Sequence, residues 1–359
     1  MKICVIGGGN GGQALAGFLA LRGHDVSLYN RSEWRISRVI KTKKIRLEGE
    51  INAVGSISFA TTDIGAAIKE RKLLMVVLPA SAHRDIAKKI APYLEDGQVI
   101  VLNPGRTAGA LEFRNVLKEE HVERNVIVAE AQTFVFASRL SNPGSVRIFR
   151  IKNAVPVAAL PASRNSELEE VLLNVMPEFE IVESTLYTSF NNIGAVFHPA
   201  TIVLNAGWLE TTFGKFEFYF EGISTSVARV LEKIDEERCE VARRIGIEPM
   251  TAIQWLSYAY DVHGVDLYSA IHNNEGYRGI QAPAQMDSRY ITEDVPASLV
   301  PLSAFGKLVE FPTPTIDTII HLASIMMNKD FIKEGRNFEK LHLMDKTVEE
   351  VRRIMEVGE

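Results

Sequence analysis

The chain has 359 residues, of which 46% are hydrophobic and 24% charged, with a formal net charge of −5. This composition predicts a globular protein of two domains, and the modest acidic balance argues against a nucleic-acid partner. No apolar run reaches the roughly 18 residues that a membrane span needs. Because the chain enters a strand without a leader and its two cysteines, Cys4 and Cys239, show no disulfide pattern, we expect a cytoplasmic protein.

The first twelve residues carry the strongest local motif. The apolar run Ile3–Ile6 leads into Gly7-x-Gly9-x-x-Gly12, and a helix-like apolar stretch follows. Between a strand and a helix, the first glycine permits a tight turn, the second lets the backbone approach a pyrophosphate, and the third allows close packing. The phosphates would lie at the N–H groups of the helix start. The predicted phosphate-binding residues are Gly7, Gly9, Asn10, Gly11 and Gly12.

Residues 1–184 alternate between short β-branched runs and helical patterns. The predicted strands are Ile3–Ile6, Val26–Tyr29, Leu73–Leu78, Val99–Leu102 and Val126–Val128. The clearest predicted helices are Ser81–Leu94 and Ala110–Glu119. This alternation predicts an α/β fold with a Rossmann-type doubly wound parallel sheet. Ligands of such sheets bind beyond the carboxyl ends of the strands, so residues that follow the apolar runs are site candidates.

The end of the second predicted strand bears on the choice of nicotinamide coenzyme. NAD-binding sheets carry an Asp or Glu there for the ribose hydroxyl, whereas this chain reads Asn30-Arg31-Ser32. Asn30 can still bond a ribose hydroxyl, while Arg31 and Ser32 suit a 2′-phosphate, with Arg35 as reinforcement. The turn resembles the Asn-Arg-Ser/Thr turn of NADP-dependent dehydrogenases of the 6-phosphogluconate type. We therefore expect NADP in preference to NAD.

Two further loops follow predicted strands. Pro79 comes after the third strand, and Asn103-Pro104-Gly105 comes after the fourth. Proline and glycine leave room for close backbone approach. Pro79, Asn103 and Gly105 are therefore predicted to lie beside the nicotinamide ribose and ring.

Helical periodicity dominates residues 185–359, which predicts a mainly α-helical second domain that supplies part of the substrate site. The predicted helices are Val196–Glu210, Gly222–Ile245, Met250–Tyr260 and Thr315–Met327. An aromatic run from Trp208 to Phe220 could line a pocket for an apolar side chain, but we favour helix packing or the interface of a homodimer.

Three polar side chains of this second half form a usable chemical set. His198 precedes Pro199, a pairing that suits the first turn of a helix. Arg289 and Asp294 belong to a polar loop about ninety residues later that ends in a proline. They would supply an imidazole, a carboxylate to orient it and a guanidinium to hold an anion. No histidine or cysteine spacing indicates a metal site.

These motifs resemble the octopine/nopaline (opine) dehydrogenase family over nearly the whole chain. The matching stretches in the second half are Asn192–Pro199, Phe218–Ser224, Ile234–Arg238, Arg289–Pro296 and Pro312–Asp317. In the first half the likeness covers the glycine motif, Asn103–Gly105 and Glu130–Arg139. The last stretch departs from its relatives, which tend to read Glu-Thr-x-Thr-x-Pro-Tyr-Ala-Cys-Arg.

The resemblance implies a reductive condensation of an amino acid with an α-keto acid, in which NAD(P)H reduces an imine. It implies that His198 is the acid–base group and that Asp294 holds the imidazole, stabilises its charged form and raises its pKa. It further implies that Arg289 pairs with a substrate carboxylate and that Glu130 and Thr133 border the substrate.

Two other interpretations of the residues stay open. Ketopantoate reductases and hydroxyacid dehydrogenases share this architecture, but they use a lysine or a His–Glu pair. A non-catalytic NADP-binding sensor would keep the glycine motif without needing His198, Arg289 and Asp294 together.

Overall fold

The computed structural model describes residues 1–358, which form two compact units. The first unit comprises residues 1–105, 109–185 and 358, and the second comprises residues 106–108 and 186–357. No helix among the described residues is long and apolar enough to cross a bilayer.

The described part of the chain contains twelve strands, and they form two sheets. The strands are β1 Lys2–Ile6, β2 Asp25–Tyr29, β3 Lys44–Gly49, β4 Ala53–Ser56, β5 Phe59–Thr61, β6 Leu73–Val76, β7 Val99–Leu102, β8 Ile127–Ala131, β9 Phe136–Asn142, β10 Ser145–Ile151, β11 Val155–Leu160 and β12 Phe179–Ile181. The larger sheet has the order β12-β11-β8-β7-β6-β1-β2-β5, and the smaller has the order β4-β3-β10-β9.

The larger sheet confirms the predicted Rossmann-type core. Its strands β5, β2, β1, β6, β7 and β8 are parallel throughout. Ile3, Val5, Val99 and Val101 are completely buried, as expected where helices cover both faces of a parallel sheet. Beyond β8, the edge strand β11 runs antiparallel, and β12 is parallel to β11.

The smaller sheet was not predicted from the sequence. In its strand β3, apolar and charged residues alternate, and only Ile45 and Leu47 are buried. The alternation places these side chains against helix α1, which contacts β3, β4, β9 and β10. A search for continuous β-branched runs overlooks strands of this kind.

Helices complete both units of the described chain. The α-helices are α1 Asn10–Leu21, α2 Glu33–Thr42, α3 Ile64–Ile68, α4 His83–Ile90, α5 Gly109–Glu119, α6 Asn165–Leu172, α7 Thr185–Phe190, α8 Ile193–Leu204, α9 Ala206–Thr212, α10 Thr225–Arg244, α11 Ala252–Tyr260, α12 Leu267–His272, α13 Arg289–Thr292, α14 Val300–Leu308, α15 Pro314–Met327, α16 Phe331–Glu334 and α17 Val348–Val357. Short 3₁₀ turns occur at Ala80–Ala82, Ala91–Tyr93, Ala162–Arg164 and Glu275–Tyr277, and a π-helical turn occurs at Val295–Leu299.

Helix α8 lies at the centre of the second unit, where it packs against α10, α13 and α15. The single helix predicted from Val196 to Glu210 is in fact two, because the Asn205 side chain bonds the Thr201 and Gly222 carbonyls and ends α8. The expectation that Pro199 opens a helix is wrong: it lies in the middle of α8. Proline has no N–H to donate to the Ala195 carbonyl one turn earlier, so α8 lacks a backbone hydrogen bond beside His198.

Candidate active site

The glycine turn of the first unit joins β1 to α1. Gly7 has φ +121, a conformation that glycine adopts without strain. A Cβ added to Gly12 would lie 1.6 Å from the Gly7 carbonyl oxygen, so the fold requires glycine there. A Cβ on Gly9 would meet no heavy atom within 4 Å, which leaves room for a phosphate at the start of α1. The backbone geometry therefore fits a dinucleotide pyrophosphate.

Two other predicted phosphate-binding residues connect α1 to the segment that contains Phe134 and β9. The Asn10 Oδ1 atom accepts a hydrogen bond of 3.0 Å from the Leu140 N–H on β9. A Cβ on Gly11 would come within 2.8 Å of the Phe134 ring, so this glycine allows the ring to pack on the helix. Gln13, which the sequence motif did not single out, bonds the Gly8 carbonyl and the Gly144 N–H, both at 2.8 Å.

The turn after β2 holds the glycine turn with one buried side chain. Asn30 Oδ1 accepts from the Gly8 N–H at 2.9 Å, and its Nδ2 donates to the Ser32 carbonyl at 2.8 Å. Both polar atoms of this amide therefore already bond to the protein. Arg31 is exposed, and the Arg35 guanidinium lies 4.8 Å from the centre of the Trp34 ring. These exposed cations leave the turn suited to a phosphate.

The loops after β6 and β7 also follow the carboxyl ends of parallel strands. Pro79 begins a 3₁₀ turn, and its carbonyl accepts from the Ala82 N–H at 2.9 Å. Asn103 donates from Nδ2 to the Val101 carbonyl, but its Oδ1 is buried with no hydrogen-bond partner among the described residues. A buried acceptor without a donor is costly, and a coenzyme carboxamide or ribose hydroxyl would supply the donor.

The two predicted substrate residues of the first unit differ in burial. Glu130 is completely buried, and its carboxylate accepts a hydrogen bond of 2.7 Å from the Ala110 N–H in the first turn of α5. A Cβ on Gly105 would lie 2.4 Å from the Glu130 Cβ, so Gly105 is the residue that admits this side chain. Thr133 is half-buried. Glu130 thus stabilises the N-terminus of α5, where a negative charge is favoured.

The second unit brings His198 and Asp294 together. The His198 Nδ1 atom, on α8, lies 2.8 Å from Asp294 Oδ2, just before the π-helical turn. The other oxygen, Asp294 Oδ1, lies 3.0 Å from Arg106 Nη1, and Arg106 Nε donates to Glu293 Oε1 at 2.9 Å. Asp294 is fully buried, and Arg106 and Glu293 are nearly so. We call Arg106, His198, Glu293 and Asp294 the acid–base cluster.

Aromatic rings surround the imidazole. Tyr290 stacks on His198 with ring centres 4.2 Å apart, and Phe218 lies 6.2 Å away. The Tyr219 hydroxyl lies 3.3 Å from His198 Nε2, and the Tyr219 ring stacks on Tyr277 at 3.9 Å. Burial raises the pKa of Tyr219 well above its ordinary value, so its hydroxyl stays protonated. Asp294 and Tyr219 thus face opposite nitrogens of one ring.

Burial and charge set the protonation of the cluster. Burial alone would raise the pKa of Asp294, but the charges of Arg106 and His198 hold it below the ordinary value. Burial lowers the pKa of His198, with Asp294 acting in the opposite direction. Asp294 thus acts on the pKa of His198 in the expected, upward direction, but desolvation of the imidazolium outweighs this attraction and the net shift is downward. The imidazole is ready to act as a base.

Arg289 opens α13, directly before the ring that stacks on His198. Its side chain is exposed, and its guanidinium lies 5.7 Å from the centre of the Tyr290 ring. It has no hydrogen bond or ion pair within residues 1–358. The charge is thus available to an anionic ligand, which a guanidinium binds in a bidentate manner.

Two functional candidates were missed from the sequence. Arg106 stands some ninety residues before His198 in the chain, and no local pattern connects them. Tyr219 belongs to the aromatic run for which packing or an interface is favoured, and the matching stretch Phe218–Ser224 is the sequence signal that includes it.

The chain resembles known dehydrogenases over its full length. Two sequence families match the chain. Residues 181–327 match the family of the NAD/NADP octopine/nopaline dehydrogenase α-helical domain, and residues 2–129 match that of the NAD-dependent glycerol-3-phosphate dehydrogenase N-terminus. An opine dehydrogenase of Arthrobacter sp. (strain 1C) is 38% identical over 353 residues, covering 98% of each chain.

Solved structures show the same fold. Octopine dehydrogenase with NADH and L-arginine superposes with a TM-score of 0.77 at 22% identity, covering 100% of this chain and 98% of that one. Yersinopine dehydrogenase with NADP⁺ bound gives a TM-score of 0.74 at 15% identity, covering 99% and 98% of the two chains.

Proposed function

The chain belongs to the opine dehydrogenase family, a family of NAD(P)-dependent oxidoreductases, and we propose that it condenses the amino group of an amino acid with an α-keto acid and reduces the resulting imine. The observation that carries this proposal is the pair of contacts that His198 makes. Its Nδ1 contacts the Asp294 carboxylate, and its Nε2 contacts the Tyr219 hydroxyl. Bound NAD(P)H would supply the hydride that the imine carbon accepts.

His198 would move the proton that accompanies the hydride. Asp294 accepts from Nδ1–H, which leaves Nε2 as the nitrogen that exchanges a proton with the substrate. In the reductive direction His198, after taking a proton from solvent, would donate it from Nε2 to the nitrogen, so that the C=N bond becomes CH–NH and the imidazole returns to its neutral form. In the oxidative direction it removes the same proton from the secondary amine. Such acid–base catalysis contributes about 10²–10⁴-fold in rate.

Arg289 would bind a substrate carboxylate. Both the keto acid and the amino acid carry one, and the exposed guanidinium has no competing ion pair in the described chain. The rings of Phe218, Tyr219 and Tyr290 around His198 would exclude water from the proton-transfer step and limit hydrolysis of the imine.

The turn after β2 would favour NADP over NAD. Arg31 and Arg35 are exposed cations beside Ser32, and no carboxylate occupies position 30, where one would repel a 2′-phosphate. Gly7, Gly9, Gly12 and the Asn103 amide would hold the remainder of the coenzyme.

The test is oxidation of NADPH and NADH with pooled amino acids plus pyruvate or glyoxylate. We expect turnover that requires both the amine and the keto acid and that falls about 10²–10⁴-fold in His198→Ala. His321→Ala, an exposed histidine on α15, is the matched control and should keep full activity. Turnover with the keto acid alone would replace the proposal with a simple ketoacid reductase, and tight NADPH binding without any turnover would favour a sensor.

A further inference from the structure

Arg106 reaches the acid–base cluster from an unusual stretch of chain. Residues 106–108 group with the second unit, although the residues on both sides belong to the first. Hydrogen bonds hold the stretch there: Ala108 N–H donates to Ser189 Oγ at 2.9 Å, and Arg336 donates to the Thr107 carbonyl at 2.7 Å. Arg106 and Ala108 have φ values of +64 and +59, which disfavour side chains. Strained backbone of this kind persists where the surrounding structure fixes it, and it is enriched at functional sites.

The Arg106 guanidinium lies between two carboxylates. It contacts Glu293 at 2.9 Å and Asp294 at 3.0 Å, and all three side chains are at most 5% exposed. Helix α8 makes room for it with Gly194, where a Cβ would lie 2.0 Å from Arg106 Nη1. An amide oxygen of Asn192 lies 3.4 Å from the same nitrogen. The helix that carries His198 is therefore shaped around Arg106.

The net charge of Arg106, Glu293 and Asp294 favours the binding of one proton by the cluster. One guanidinium faces two carboxylates, so the sum is one negative charge, which an imidazolium at His198 would neutralise. Arg289 is the other charged group that acts on the pair, but it is exposed and more strongly screened by solvent. The nearest remaining groups, Tyr219 and Tyr290, are phenols.

We propose that Arg106 is a positioning residue of the acid–base pair: it fixes the Asp294 carboxylate against His198 Nδ1 and sets the pH at which His198 gains its proton. The part of this inference that concerns catalysis rests on the proposed function, whereas the part that concerns the proton does not. Without the guanidinium the cluster carries two negative charges and takes up a proton at higher pH.

The proton is measured directly by histidine NMR in the full-length protein without substrate, with the His198 signal assigned from its loss in His198→Asn. In Arg106→Gln we expect the His198 titration to move up by about one pH unit or more. In Glu293→Gln, which removes a negative charge and keeps the shape, we expect it to move down. An unchanged or downward titration in Arg106→Gln would overturn the proposal, even if the enzyme turned over the expected substrates.

The control separates this effect from the general cost of altering a buried arginine. Arg238 is also fully buried and pairs with Asp235 at 2.6 Å, in contacts that do not include His198. Arg238→Lys should lower the unfolding midpoint and leave the His198 titration in place. A shift in this variant equal to that in Arg106→Gln would refute a specific role for Arg106.

A charge-preserving variant tests positioning and remains informative if Arg106→Gln fails to fold. Lysine cannot bond both carboxylates in the planar manner of a guanidinium. Arg106→Lys should therefore keep the titration near its original pH but lower kcat for condensation by about tenfold to a hundredfold, with KM little changed. An unchanged kcat in Arg106→Lys would contradict the proposal. So would a His198 titration in Glu293→Gln that does not move to lower pH.

Discussion

The coenzyme turn and the acid–base cluster are built in opposite ways. The turn from Gly7 to Gly12 is almost entirely backbone, lies within six residues, and works because side chains are missing. The cluster consists of ionisable side chains from positions 106, 198, 293 and 294 and depends on distances near 3 Å. A local backbone motif can be recognised from sequence, whereas a charge network assembled from distant positions becomes visible only in the fold.

The largest expected effect tests whether each glycine of the turn serves the fold or the coenzyme. Gly12→Ala places a methyl group against the Gly7 carbonyl and should lower the free energy of unfolding by about 1–3 kcal/mol or more. Gly9→Ala meets nothing and should change the stability by less than about 0.5 kcal/mol while weakening coenzyme binding. Chemical denaturation and coenzyme titration measure the two effects. Equal destabilisation of both variants would show that the turn has a single, purely structural role.

A second variant asks whether any side chain of the coenzyme region carries specificity. Arg31→Ala removes an exposed cation and should reduce the preference for NADPH over NADH by about tenfold to a hundredfold, the value of a charge-assisted hydrogen bond. Lys41→Ala, an exposed cation at the end of α2, is the matched control. Binding constants for both coenzymes give the ratio, and an unchanged ratio in Arg31→Ala would leave the choice of coenzyme to the backbone alone.

The pH dependence of the cluster has a definite sign. The pKa of His198 is lowered in the folded protein, so the unfolded chain binds the proton first as the pH falls below about 6.5. Stability from this group is present above that pH and is lost below it. Amine oxidation, which needs the neutral imidazole, should lose activity only at a pH below the ordinary histidine value. Unfolding midpoints and kcat/KM across pH 5–8, compared with His198→Asn, test both statements, and an activity midpoint above 7 would contradict them.

The smallest expected effect concerns the Tyr219 hydroxyl, which contacts Nε2 of His198. Tyr219→Phe removes one hydrogen bond of a neutral donor and should lower kcat by about two- to tenfold. Tyr277→Phe leaves the ring that stacks on Tyr219 and serves as the control. Single-turnover rates separate the proton-transfer step from product release. Identical rates for wild type and Tyr219→Phe would show that the substrate displaces this hydroxyl without cost.

The sequence was sufficient where a residue acts through its own neighbours. The glycine spacing, five of the six parallel strands and the helical second half follow from local pattern, and the structure agrees. The sixth strand, β5 Phe59–Thr61, has only three residues and was not predicted. Local pattern did not predict the hydrogen bonds that side chains make across the fold, such as those of the Asn30 amide to the glycine turn and of Glu130 to the start of α5. The clearest omission is Arg106, whose carboxylate partners are almost two hundred residues away.

The placement of residues 106–108 has a consequence for recombination and protein engineering. A fragment that begins at residue 185 would contain every helix of the second unit but would lack Arg106, Thr107 and Ala108. A chimera joined at that point would combine the helices of one parent with the arginine of the other. A chimera keeps the arginine and the helices from the same parent only if residues 106–108 are transferred together with the second unit.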